Sequence, residues 1–112
     1  RVLHLEENLY LQKDLSLVKK IYAPAVTFQD ATWTRDEITA HLTQSLAEQR
    51  IIAYAVENVE IVLDDSQSNA EVSFKSYTKA YDHLTGYTEE ITRVWHYTLA
   101  LESGRWLITK RT

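Results

Sequence analysis

The stretch Glu89–Arg111, EEITRVWHYTLALESGRWLITKR, decides the architecture. It divides at Ser103-Gly104 into two runs with strand periodicity. In the first run Ile91, Arg93, Trp95, Tyr97, Leu99 and Leu101 share one face, and Thr92, Val94, His96, Thr98 and Ala100 share the other. A strand with large side chains on one face and mixed apolar and polar ones on the other suits a sheet that wraps a core and offers its back to a partner. Arg93 breaks the apolar row. A guanidinium in line with Trp95 and Tyr97 belongs at the rim of the core or in a cavity that holds an anion.

Outward from this hairpin, the rest of the chain reads as helices first and strands afterwards. Val2, Leu5 and Leu9, with Leu3 and Tyr10 beside them, make a helical stripe over residues 2–12. Asp14 caps a second, short helix from Leu15 to about Tyr22, ended by Ala23-Pro24. Val26 and Phe28 alternate with Ala25 and Thr27 as a strand. Thr34 with Glu37 three residues on forms a capping box for a helix to about Arg50, striped by Ile38, His41, Leu42 and Leu46. Ile51–Leu63 alternates but loses phase at Glu57-Asn58, which predicts a bulge or bend. Asp64–Asn69 is a turn, Ala70–Asp82 a strand, and His83–Thr88 with Gly86 closes a hairpin onto the Glu89 strand. The order predicts a single α+β domain over 1–112, with N-terminal helices packed on a strongly bent antiparallel sheet.

Composition narrows the function. A chain of 112 residues has room for one core. The net charge of −4 and the lack of a long basic run argue against nucleic acid or an anionic membrane as partner. With no cysteine there is neither a disulfide framework nor a thiolate metal site, and the redox compartment stays open. His4, His41, His83 and His96 lie on separate elements without a metal-binding spacing, so no metal and no cofactor are expected. No G-x-S-x-G turn is present, and Ser76 and His96 fall on opposite sheet faces, against a Ser–His–Asp triad.

Two segments carry a resemblance to a known family. DLSLVKKIYAPAVTFQD resembles the entry D-L-x-x-[LIV]-x-x-x-[YF]-A-x-x-[AV]-x-[FVW]-x-D into a first strand, and EEITRVWHYTLALESGRWLITKR resembles the TRVWH … G-x-W-x-I close of the calmodulin-dependent kinase II association domain. On these, and on its order of elements, the chain resembles the NTF2-like superfamily, the cystatin-like cone shared by nuclear transport factor 2, ketosteroid isomerase and SnoaL-type cyclases. The resemblance implies the fold more than any activity, because the fold hosts isomerases, hydrolases, cyclases and plain binding or oligomerising modules. It matches Asp30 to the general base of ketosteroid isomerase. The oxyanion-hole positions of that enzyme fall at Glu6 and Trp95, neither being the donor expected there. Arg93 matches one of the pocket arginines of the kinase association domain, whereas Ser76 occupies the position of another.

Sequence reading thus gives a small-ligand-binding or oligomerising domain whose pocket accepts a small acidic ligand. Arg93, Ser76, Thr78, Tyr10, Trp33, Tyr54 and Trp95 are its expected lining. The alternatives are an isomerase, cyclase or hydrolase with Asp30 as base, and an association domain of a longer chain. A homodimer is expected through the outer sheet face, over Tyr77, Val94, His96, Thr98 and Leu107.

Overall fold

The computed structural model describes residues 2–112. Helix α1 spans Val2–Gln12 and buries Val2, Glu6 and Leu9 along one stripe, so a carboxylate takes a place that the helical period reserves for an apolar side chain. Asp14 then accepts the Ser16 backbone N–H at 3.2 Å and caps a 3₁₀ turn, Leu15–Leu17, that runs into the short α2, Val18–Ile21. Strand β1 covers Tyr22–Phe28 and β2 covers Ala31–Thr34, with Gln29 in the left-handed region (φ 55°) between them. The short helix therefore stops a residue before Tyr22, and Ala23-Pro24 lies inside the strand.

Helix α3, Arg35–Glu48, starts on the expected capping box: the Glu37 N–H donates to Thr34 Oγ1 at 3.2 Å and the Thr34 N–H donates to Glu37 Oε1 at 2.8 Å. Three long strands follow, β3 (Gln49–Leu63), β4 (Asn69–Asp82) and β5 (Thr88–Glu102), and β6 (Arg105–Arg111) closes the chain. The sheet order is β2-β1-β6-β5-β4-β3. All neighbours are antiparallel except β1 and β6, which run parallel. The sheet is thus mixed rather than wholly antiparallel, because the first strand returns to the last across the helices. The phase loss foreseen in β3 is a bulge between Glu57 and Glu60, with Asn58 at φ 57°.

The inner sheet face carries the core. Ala70, Val72, Phe74 and Ser76 of β4, Tyr97 and Leu99 of β5 and Ile108 of β6 are buried against Leu9, Val18, Ile21, Ile38 and Leu46 of the helices. Each fully buried aliphatic side chain among them contributes roughly 1.5–3 kcal/mol of transfer free energy. This packing fixes where the polar groups of the interior can sit.

Candidate functional site

Glu6 projects from α1 into the core with no exposure, and two phenols hold it there. Tyr22 of β1 donates its hydroxyl to Oε2 at 2.5 Å, and Tyr97 of β5 donates to Oε1 at 2.9 Å. A buried carboxylate is tolerated only with such partners. The third partner is Arg111 of β6, whose Nε stands 4.0 Å from Oε2, too far for a hydrogen bond but close enough for strong attraction at low dielectric. That Nε is buried and has no hydrogen-bond partner among the described residues.

Aromatic rings hold the Arg111 guanidinium instead. It lies 4.5 Å from the Trp95 ring centroid, 5.0 Å from Phe28 and 5.2 Å from Tyr97, with its side chain 13% exposed. Arg93 sits 5.8 Å from the same Trp95 ring, so one indole is shared by two cations. The Trp95 indole N–H donates to the buried Ser76 Oγ at 3.1 Å, which fixes the ring. From Phe28 the aromatic surface continues outward to Trp33 at 5.5 Å and from there to His41 at 5.3 Å.

Burial dominates the ionisation of the surrounding phenols. It pushes Tyr10 up to about 12, with the Glu6 charge adding to the effect. Tyr22 and Tyr97 are driven well above their ordinary value by the same two causes in the same order. They are therefore proton donors to Glu6 at neutral pH and cannot act as bases. For Arg111, burial opposes the charge, but the adjacent tyrosines and Glu6 outweigh it and hold the guanidinium protonated.

The structure brings together only part of the expected lining. Arg93, Ser76 and Trp95 are contiguous, and Trp33 joins them through Phe28. Tyr10 and Tyr54 stack edge to face at 5.1 Å, and Tyr54 pairs in register with Thr78, which is half-buried. Asp30 stands apart, exposed in the β1–β2 turn, and makes no side-chain hydrogen bond among the described residues. The carboxylate placed in the interior is Glu6. On the outer face, Val94 is 79% exposed, Tyr77 donates to Glu90, and His96 bridges Ser73 (2.9 Å) and Glu71 (2.6 Å). Leu107, expected to be exposed on that face, is buried within the single chain.

Arg111, Phe28 and Tyr22 were not among the expected residues. A two-residue Ser103-Gly104 turn pairs Glu102 with Arg105 and Leu99 with Ile108, and a strict ladder would then turn Lys110 inward beside Tyr97. One extra residue in β6, at Thr109, shifts the register so that Tyr97 faces Arg111. The signal lay in the β6 sequence only as two adjacent cations, Lys110 and Arg111, either of which could have pointed in.

Helices packed on a curved, mixed six-stranded sheet define the NTF2-like fold. This is the fold of the chain. It superposes on a conserved protein from Planctomyces limnophilus with TM-score 0.85 at 15% identity, covering 98% of this chain and 87% of the other. An NTF2-like superfamily protein from Salmonella enterica serovar Typhimurium gives 0.79 at 12% identity (98% and 82% covered). A ketosteroid isomerase-like protein from Erwinia carotovora atroseptica gives 0.79 at 13% (98% and 87%). No family model matches the chain, and no curated protein matches its sequence. At such identities the likeness shows the fold and not the chemistry.

Proposed function

We propose that the chain is a small-ligand-binding module that takes a planar carboxylate at the mouth formed by Phe28, Trp33, Trp95, Arg93 and Arg111. The observation that carries this reading is the buried Arg111 Nε–H, a donor with no acceptor among the described residues, beside a second cation on the same indole. An unsatisfied charged donor at a buried site costs more than an ordinary lost hydrogen bond, and an anionic ligand would remove that cost. The flanking rings favour an aromatic acid over a short aliphatic one. The fully buried Glu6 tempers the positive field, so binding should be modest. The outer sheet face serves as a homodimer interface centred on exposed Val94.

Calorimetric titration with benzoate tests the site, with benzylamine as the control. Benzoate is expected to bind and benzylamine not to, and Arg93→Ala should weaken benzoate by about tenfold, the loss of one charge-assisted contact. Equal binding by wild type and Arg93→Ala would remove the reading.

A further inference from the structure

A cavity lies away from these residues. It is an open groove of about 1100 Å³ between α1 and the far end of the sheet, and none of Glu6, Arg93, Trp95 and Arg111 lines it. Its walls are Leu3 of α1, Val56, Ile61 and Leu63 of β3, Val72 of β4 and Trp106 of β6. Around and beyond the β3 bulge at Asn58, every residue from 57 to 69 is exposed. Ile61 is 64% exposed and Leu63 is 52% exposed although both belong to the groove wall.

Two cations stand on the same groove: Lys20 from α2 and Arg105 from the start of β6. Both are exposed, and neither forms an ion pair with any described residue. The one carboxylate on the lining, Glu7, lies 3.4 Å from His4 Nδ1. An apolar trough with free positive charge is complementary to a molecule that has a long aliphatic body and an anionic end. The volume lies just above the ~300–1,000 Å³ usual for small-molecule sites, and the groove is concave rather than flat like most protein interfaces.

We infer that this groove is a binding site for a single-chain anionic amphiphile, with its aliphatic chain on Leu3, Val56, Ile61, Val72 and Trp106 and its carboxylate held by Lys20 and Arg105. Because the aliphatic chain supplies most of the attraction, each methylene removed should weaken binding roughly three- to fourfold. The headgroup contacts are solvent-exposed and salt-sensitive.

The test is a titration of the isotope-labelled chain with sodium dodecanoate below its micelle concentration, followed by nuclear magnetic resonance. The three indole N–H signals of Trp33, Trp95 and Trp106 report on separate places. Saturable movement of Trp106 and of the α1 and 59–63 amides is expected, with decanoate binding more weakly. The double variant Lys20→Ala, Arg105→Ala should weaken dodecanoate by about tenfold. Ile61→Glu, at an exposed wall position that folding does not depend on, should abolish binding. Movement at Trp33 and Trp95 instead would assign the acid to the Arg93–Arg111 mouth and overturn the inference while leaving the proposed function standing. Equal binding of dodecyltrimethylammonium, or unchanged binding in Ile61→Glu, would also overturn it. So would a dimer split by Ile61→Glu alone, which would make a second copy the occupant of the groove.

Discussion

At the scale of single residues, the interior turns on an asymmetric pair. If Arg111 is lost, Glu6 keeps two phenolic donors. If the Glu6 charge is lost, Arg111 retains only aromatic faces and cannot give up its proton. Glu6→Gln is therefore expected to destabilise the chain by about 3 kcal/mol and Arg111→Met by about 1–2 kcal/mol, both estimates from the cost of stranding one member of a buried pair. Urea denaturation of the two variants checks the ranking, and the reverse order would show that the guanidinium and not the carboxylate is the better-compensated charge. The phenols give a pH prediction. Tyr10 ionises near 10 in the unfolded chain and at about 12 in the fold, so its contribution is complete below pH 10 and is lost as pH rises from there through 12. The loss from Tyr10 alone is about 2–3 kcal/mol, and Tyr22 and Tyr97 move in the same direction. Absorbance of the phenolates should rise in two stages, exposed tyrosines first and the buried ones only with unfolding. In the sequence Glu6 stood out only as the residue at an oxyanion-hole position of the resembled enzyme, whereas Arg93 was legible as a misplaced cation in an apolar row. What the sequence could not disclose is that Glu6 is held by residues 16 and 91 positions away, Tyr22 and Tyr97, because that meeting is a product of the closed sheet.

At the scale of elements, helices and strands were readable where periodicity and capping agree, as for α3 with its capping box and for the Asn58 bulge. The β1–β6 parallel pairing was not. Parallel neighbours lie far apart in sequence, and no turn residue announces them. The inward turn of Arg111 was hidden for a related reason: one inserted residue reverses side-chain parity without changing composition. The β5–β6 hairpin carries a prediction of its own. Ser103 (φ 52°) and Gly104 (φ 76°) are both left-handed, the pattern of a type I′ turn, in which asparagine is preferred to serine at the first position. Ser103→Asn should therefore raise stability by about 0.5–1 kcal/mol, part of the cost of holding an ordinary residue in that region. A shift in the thermal midpoint of a few degrees upward would show it, and an unchanged or lower midpoint would mean that the turn is not under conformational strain.

At the scale of the whole molecule, the sheet has an inner face closed by helices and an outer face left to solvent or to a partner, and the outer face is only partly apolar. Tyr77 is tied to Glu90 and His96 to Glu71 and Ser73, whereas Leu107 is already buried by the chain itself. Val94 remains, 79% exposed, near the middle of the longest strands and opposite Lys75 in register. In the two-fold dimer we propose, the same patch meets itself, so Val94 lies close to the axis and any charge placed there appears twice. Two carboxylates brought together in a desolvated interface repel each other and lose hydration, a penalty of several kcal/mol against an association worth about 8 kcal/mol at micromolar affinity. Val94→Glu should thus yield a monomer at tens of micromolar, with a circular dichroism spectrum like the parent, because an exposed strand position tolerates the change in an isolated chain. Lys75 opposite provides the internal check: if Glu at position 94 pairs with Lys75 of the same chain, the folded monomer is not destabilised while the dimer is lost. Light scattering that finds the parent chain monomeric at the same concentration would refute the interface, since burial of Val94 by a partner is the only reason for the substitution to matter.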